Sequence, residues 1–305
     1  MILIRTTAPI LLCLLTGAFL GLLTGCDPYE EDSFREYVVV ESHLIAGRQL
    51  PHVLLSTTRP IEQKYDFSEA AVSGANVSIQ LLEEGGTDPE LTVPYLMASP
   101  GVYVPGPGFR HRVQARRTYR LTASVPDHGE ITGSTTVPDT FRVISPVPEE
   151  VTYQQDTLRI SISSTTRIGR QNVFTFQAIA SDPRYEELTP FYRNLVDDEI
   201  NEIGDFTNNP SGLINEANFD ISEDGEIELQ YPWLGAAFYG ENRIVANSLD
   251  RNLVDFVNSH EVQGGGSTLP PGEIPNAVYH IDGGIGVFGS MAADTITTRI
   301  LRPQE

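Results

Sequence analysis

The sequence predicts a mainly β protein that forms two β-sandwich domains and has one short helix near residues 249–259. Two observations lead to this class. Short stretches alternate apolar and polar side chains at a period of two residues, as half-buried strands do, and glycine and proline separate these stretches at short intervals. Such spacing is typical of sandwiches, whereas parallel sheets alternate their strands with longer helices.

The first predicted domain covers residues 37–144 and contains six strands. Its most regular segment is Gly74–Leu81, where apolar and polar side chains alternate. Prolines after residue 137 indicate a domain boundary near Ile144. The strands are predicted at residues 37–41, 53–57, 74–81, 101–104, 119–123 and 131–135, with a loop at residues 83–89.

The second predicted domain covers residues 145–305. Residues 183–218 are acidic, rich in asparagine and without periodicity, so we expect long loops there. The strands of this domain are predicted at residues 158–162, 172–178, 227–231, 243–247 and 295–301.

One helix is predicted from Leu249 to Ser259, because apolar side chains recur there at helical spacing. Ser248 is the predicted N-cap, and the glycines at residues 264–266 end the helix. The apolar stripe consists of Leu249, Leu253, Phe256 and Val257.

The N-terminus carries the most specific motif of the sequence. Residues 1–25 are typical of a signal peptide, since Arg5 precedes an apolar run that is too short to span a membrane comfortably. The run ends in Leu23-Thr24-Gly25-Cys26, which resembles a bacterial lipobox. Leu23, Thr24 and Gly25 would then be the recognition residues of the signal peptidase, and Cys26 would carry the lipid. An ordinary signal peptide that is cleaved elsewhere is the alternative.

Lipid on Cys26 would hold the protein on a membrane without a transmembrane segment. Several acyl chains on one residue give stable anchoring, because each buried methylene contributes about 0.8 kcal/mol. Residues 26–36 then form an acidic tether. These acidic residues act either as a solvated spacer or as an export signal, since they resemble the signal that sends Bacteroidota lipoproteins to the cell surface. We therefore expect an outer-membrane protein, and its exposure at the cell surface stays open.

The charge of the chain argues against nucleic acid as a partner. Without residues 1–25, in which Arg5 is the one charged side chain, the chain has 280 residues and a formal charge of −22. Nucleic-acid phosphates would be repelled by this charge. Lys64 is the only lysine.

Cys13 lies in the predicted signal peptide and Cys26 takes the lipid, so no disulfide or thiolate metal site is expected.

Two acidic segments are candidate calcium sites, although no metal and no cofactor are expected. Asp220 and Asp224 imitate the start of a calcium loop, but its twelfth position is Tyr231 instead of glutamate. A hairpin turn at residues 224–225 explains the same residues. Asp197 and Asp198 belong to a second acidic cluster, for which a solvated loop is the alternative.

Two further motifs have both a functional and a structural interpretation. Gly284-x-Gly286-x-x-Gly289 has the spacing of a dinucleotide fingerprint, but the chain ends before the required acidic residue, so we expect close backbone approach within a sheet. Trp233 and Tyr239 are a candidate platform for a glycan or peptide, and burial in the second core is the favoured alternative. No nucleophile motif is present, so an enzyme is not expected.

The order of these motifs resembles a Bacteroidota outer-membrane lipoprotein family, domain of unknown function forty-two forty-nine. The resemblance is carried by the lipobox, an early valine-rich strand, the strand and helix at residues 243–259 and, above all, Gly283–Gly289. It implies an immunoglobulin- or transthyretin-like N-terminal sandwich, and a lipoprotein often encoded beside TonB-dependent receptors. A binding or accessory subunit of a TonB-dependent transport system is therefore the leading hypothesis. A surface adhesion module and a glycan- or peptide-acting enzyme are the alternatives.

Overall fold

The computed structural model describes residues 34–144, 149–168, 171–197, 201–261 and 277–304. The described residues from Glu36 onward make up one compact unit. Strands dominate the described residues, so the predicted mainly β class is confirmed. The strands are β1 (Val38–Ile45), β2 (Val53–Thr57), β3 (Asn76–Leu82), β4 (Pro89–Ser99), β5 (Val102–Pro105), β6 (Thr118–Val125), β7 (Gly129–Thr136), β8 (Glu150–Thr152), β9 (Arg159–Ile162), β10 (Val173–Ala180), β11 (Asn208–Pro210), β12 (Ile214–Asn215), β13 (Ile227–Gln230), β14 (Gly240–Leu249), β15 (Ile281–Asp282) and β16 (Ile285–Leu301). The α-helices are α1 (Phe67–Ala70), α2 (Pro190–Asp197) and α3 (Arg251–Glu261), and single 3₁₀ turns occur at Tyr185–Glu187, Ile203–Phe206, Glu216–Asn218 and Trp233–Gly235.

The long strand β16 connects the two parts of the main sheet. Its first part, from Ile285 to Met291, runs parallel to β1, and its second part, from Met291 to Ile300, pairs antiparallel with β14. The sheet has the order β11-β10-β14-β16-β1-β2-β5-β4-β3-β6-β7-β15, and β12 and β8 pair with β10 and β16. The C-terminal strand therefore belongs to both halves of the chain.

The segment that contains the glycine motif contacts β1 and β7, the two strands at the ends of the run β1-β2-β5-β4-β3-β6-β7. Its two residues in β15 pair with β7, and β16 then pairs with β1. A Cβ on Gly283 would lie 2.3 Å from the Glu130 carbonyl oxygen, and one on Gly286 would lie 2.1 Å from the Val40 carbonyl oxygen. Both glycines have positive φ, which other residues rarely adopt. Close backbone approach is thus confirmed as the role of these glycines, and the residues after them form a strand.

Two hydrophobic cores account for most of the buried apolar side chains. The first is enclosed by β1–β7 and includes Phe288 from β16. The second lies between the main sheet, which contributes Phe174 and Phe176, and a separate sheet of β9 and β13, which contributes Ile160 and Leu229. Alternate residues of β1 are buried, in agreement with its period of two. The domain bounds 37–144 and 145–305 stay a prediction, since β16 supplies side chains to both cores.

The predicted helix start at Leu249 is wrong, because Leu249 is the last residue of β14 and the helix begins at Arg251. Ser248 is buried in the same strand and is not the N-cap. The cap is Asp250, whose Oδ1 accepts a hydrogen bond from the Leu253 amide at 2.9 Å. The glycines at 264–266 lie outside the described residues.

The expectation of long loops at residues 183–218 is only partly correct. The segment contains α2, 3₁₀ turns, and β11 and β12, which pair with β10. The sequence reading also missed β4, which lies between β3 and β5 and has Pro94 at its middle. Proline interrupts a strand pattern because it cannot donate to the ladder. Among the described residues, no helix is long and apolar enough to span a membrane.

Candidate functional site

A cleft of about 610 Å³ opens beside the N-terminus of α3. Three segments line it: the end of β7 and the residues after it, the loop before β10, and the first turn of α3 with the residues that precede it. The lining side chains are Ser134, Thr136, Pro138, Ile168, Gln171, Asn172, Leu249, Asp250, Arg251, Asn252 and Asp255. Most of them are hydroxyl, amide or charged groups, so the cleft favours a ligand that hydrogen-bonds rather than an apolar one.

The wall of the cleft contains a buried carboxylate, Asp250, which is 6% exposed. Its Oδ1 caps α3, and its Oδ2 accepts a hydrogen bond from the Thr135 hydroxyl. That hydroxyl also lies 2.6 Å from Ser290 Oγ, and the Asp250 amide donates to the Ser290 carbonyl oxygen at 2.9 Å. Burial raises the pKa of Asp250, while its hydrogen bonds oppose the shift. Asp250 therefore links the helix to β7 and β16.

Asn252 makes a second connection between the same elements. Its side-chain amide donates to the Ser134 carbonyl oxygen at 2.7 Å and to the Phe288 carbonyl oxygen at 2.8 Å. Asp250 and Asn252 together fix the first turn of α3 against two strands. The shape of the cleft is thus set by a hydrogen-bonded network and does not depend on loops alone.

The rim of the cleft carries Arg251 and Asp255 of α3, and His280, just before β15, lies beside Asp255. Asp255 Oδ2 lies 3.2 Å from Arg251 Nε, one helical turn away, and 2.9 Å from His280 Nε2. The Arg251 side chain is largely exposed, so its pairing with Asp255 contributes little to stability. A guanidinium with free solvent access and a carboxylate on the same rim can both contact a polar ligand.

The candidate calcium residues do not form a cluster of ligands in the described part of the chain. Asp220 and Asp224 flank a tight turn, in which the Ser222 amide donates to the Glu226 carbonyl oxygen and the Gly225 amide to the Ser222 carbonyl oxygen, both at 2.9 Å. This turn lies where the hairpin was predicted and leads into β13. Asp197 is the last residue of α2. Asp198 lies outside the described residues, among which no group of three or more acidic, histidine or cysteine side chains could hold a metal ion.

The aromatic candidates lie in the second core. Tyr239 is buried, and the Arg302 guanidinium lies 4.6 Å from the centre of its ring. The Trp233 ring is half-buried and packs edge-on against Tyr153, with ring centres 5.2 Å apart. The two candidates therefore do not form an exposed pair, since Tyr239 is buried and Trp233 is half-buried. Residues 23–26 of the lipobox lie outside the described residues.

The sequence reading missed the cleft and its network. Asp250 carries a signal, since aspartate immediately before a helical pattern is a favoured N-cap, but Ser248, two positions earlier, belongs to the same class of capping residues. Thr135 and Ser290 carried none, because they are polar side chains in strands and lie 115 and 40 positions from Asp250 in the sequence.

Fold and cleft together define a mainly β protein with a polar cleft between sheet and helix. A family model described as "Domain of unknown function (DUF4249)" matches residues 26–297. The protein belongs to this family, as the sequence resemblance predicted. No curated protein matches the chain.

Solved structures resemble the chain only distantly. One is a tetra-tandem repeat in the extending region of a large adhesion protein, with 12% identity and a TM-score of 0.25. The match covers 87% of this chain and 49% of that one, so the chain spans about half of its length. Three N-terminal domains of the bacteriophage RB49 outer capsid protein Hoc match with 11% identity, coverage of 88% and 71%, and a TM-score of 0.21. The α2-macroglobulin of E. coli matches with 9% identity, coverage of 72% and 13%, and a TM-score of 0.23. These scores are too low to support an argument about function.

Proposed function

We propose that this protein is a lipid-anchored binding protein of the outer membrane that works as an accessory subunit of a TonB-dependent transport system. The observation that carries the proposal is the motif Leu23-Thr24-Gly25-Cys26 at the end of an apolar run. The family match begins at the same cysteine. The transport partner is what the family resemblance implies.

The carboxylates at the cleft are occupied by contacts within the protein, which fits a protein that binds a ligand without catalysing a reaction. Both oxygens of Asp250 accept hydrogen bonds from the protein itself, and Asp255 is paired with Arg251 and His280. A glycoside hydrolase needs two carboxyl groups that face the scissile bond, one as acid and one as nucleophile or base. Asp250 serves a structural role instead, which supports a site that holds a ligand and does not cleave it.

The position of the cleft suits a tethered binding protein. The chain enters the described body next to the start of β7, since Glu36 lies 3.5 Å from His128. β7 then runs from Gly129 to Thr136, which lines the cleft, and seven residues of strand span about 24 Å. The cleft is therefore displaced along β7 from the point at which the tether joins.

Purification from detergent-solubilised outer membranes tests the proposal. A tagged protein should co-purify with a β-barrel receptor, and the Cys26→Ala variant should lose both the membrane association and the receptor. If the lipidated protein purifies alone, the transport role fails and the adhesion alternative gains. Proteolysis of intact cells separates the two membrane faces, because only a surface-exposed protein would be cut.

A further inference from the structure

We propose that the loop of residues 58–66 docks onto the lipid surface to which Cys26 is anchored, with Ile61 and Tyr65 entering the bilayer interface. We call this segment the docking loop. The inference rests on the proposed lipid anchor and adds to it a second, non-covalent contact between the protein body and the membrane.

The docking loop begins at the point where the tether enters the body. The Tyr37 amide donates to Thr58 Oγ1 at 2.9 Å, and the Thr58 amide donates to the Tyr37 carbonyl oxygen, also at 2.9 Å. Eleven residue-to-residue steps separate Cys26 from Tyr37. They span at most about 40 Å when fully extended, so the base of the loop always stays within that distance of the lipid.

The side chains at the tip of the docking loop are unusually apolar for a turn. Ile61 is 96% exposed, and it follows Pro60 in a turn that the Gln63 amide closes onto the Pro60 carbonyl oxygen at 2.9 Å. Glycine, asparagine, aspartate and serine are the usual residues of such tips. The folded protein leaves the apolar surface of the Ile61 side chain in water, whereas transfer into lipid would remove that surface from water.

Tyr65 adds an aromatic side chain that suits a membrane interface. It is 54% exposed, and its hydroxyl lies 3.2 Å from Ser56 Oγ. Tyrosine is enriched at membrane–water interfaces, because one end of its side chain is polar and the rest is apolar. Ile61 and Tyr65 lie four residues apart in one short loop and form its apolar part.

Both ends of the docking loop are held by hydrogen bonds. Arg59 donates to the Glu69 carbonyl oxygen. Asp66 caps α1 by accepting bonds from the Ser68 amide at 2.8 Å and from the Ser68 hydroxyl at 2.6 Å. The tip is thus presented on a supported base, so its insertion does not require the loop to refold.

The charges of the docking loop favour a zwitterionic lipid surface. The chain's only lysine, Lys64, lies between Ile61 and Tyr65, with Glu62 and Asp66 close by in sequence. With Arg59 the loop carries two positive and two negative side chains, so its formal net charge is zero, and the tether itself is acidic. The attraction is apolar and does not depend on anionic headgroups. Because the anchor keeps the loop near the lipid, even a weak contact is populated.

A fluorescent probe at the tip tests the docking loop in the lipidated protein. Lipid blocks the thiol of Cys26, and Cys13 leaves with the signal peptide, so Ile61→Cys introduces a unique reactive thiol. The labelled protein is placed in phosphatidylcholine–phosphatidylethanolamine vesicles, with and without lipids that carry a quencher in the acyl chain. Leu234→Cys is the matched control, because Leu234 is also well exposed. Leu234 lies six positions before Gly240, which pairs with Ile300 near the end of β16. The docking loop instead follows β2, whose partner β1 pairs with the beginning of β16 at Ile285.

We expect the quencher to reduce the emission at position 61 at least threefold more than the emission at position 234. Equal quenching at the two positions in a lipidated protein would overturn the proposal that the docking loop enters the membrane. It would not affect the proposal that Cys26 carries the lipid anchor. If the protein without an added cysteine takes up the label at Cys26, the anchor fails and the docking proposal fails with it. Since the side chains of both positions are exposed, neither substitution should change the fold.

Discussion

Asp250 offers the sharpest test of the network that shapes the cleft. Its replacement by alanine removes the N-cap of α3, which costs about 1 kcal/mol. It also leaves the buried Thr135 hydroxyl with Ser290 as its one remaining partner and opens a small cavity, for a further 1–2 kcal/mol or so. We expect Asp250→Ala to lower the free energy of unfolding by about 2–3 kcal/mol, as measured by urea denaturation.

The neutral isostere separates the charge from the hydrogen bonds. Asp250→Asn keeps an oxygen for the Leu253 amide and a polar group beside Thr135, so it should cost less than about 1 kcal/mol. Burial raises the pKa of Asp250 in the folded protein, so the folded state holds its proton more firmly than the unfolded state does. The contribution of Asp250 to stability is therefore fully present below the ordinary pKa of an aspartate and is lost as the pH rises through the raised value.

Two outcomes would refute this reasoning. The free energy of unfolding of the wild type relative to Asp250→Asn should rise as the pH falls through the raised pKa. If this difference in the free energy of unfolding does not change with pH, or grows as the pH rises, the raised pKa of Asp250 is contradicted. An Asp250→Ala variant as stable as the wild type would contradict the network itself. Arg251→Ala is the control, and it should change stability by less than about 0.5 kcal/mol, because its ion pair with Asp255 is exposed.

Two further predictions concern backbone approach and a buried charge. Gly286→Ala should destabilise the protein by more than about 3 kcal/mol in urea denaturation, because the added Cβ would collide with β1. Gly47→Ala, where φ is also positive but space is open, should cost only about 1–2 kcal/mol, and equal losses would contradict the packing argument. Arg167→Ala should cost about 2–3 kcal/mol by the same assay, because it leaves the buried Glu216 carboxylate without its cation. Arg159→Ala, which breaks an exposed pair, should cost less than about 1 kcal/mol, and a larger loss than that of Arg167→Ala would refute the distinction.

The sequence revealed the strands whose two faces differ in environment. Alternation predicted β3 closely, because one face of the strand packs on a core and the other does not. The predicted strands 119–123 and 131–135 fall inside β6 and β7, whereas the strand predicted at 37–41 continues in β1 to Ile45. The glycine motif was also informative, since glycines within a strand pattern often mark a close approach of another backbone. Patterns of this kind describe which face of a segment is buried but not which strand lies next to it.

Pairing over long separations explains what the sequence could not reveal. The contact of β16 with β1 joins residues about 246 positions apart, and no local pattern records it. The cleft depends on that pairing, because Ser290 reaches Thr135 and Asp250 only after β16 has joined the sheet. β4 was missed for a different reason, since Pro94 imitates the end of a strand while its neighbours continue the pairing.

The central claim is that Cys26 anchors this protein in the outer membrane, and the mass of its N-terminal peptide tests that claim most directly. Protein purified from outer membranes should begin at Cys26, and this residue should carry the mass of its acyl chains. The Cys26→Ala variant should lack this species. An N-terminus elsewhere, or a Cys26 with an unmodified thiol, would contradict the account.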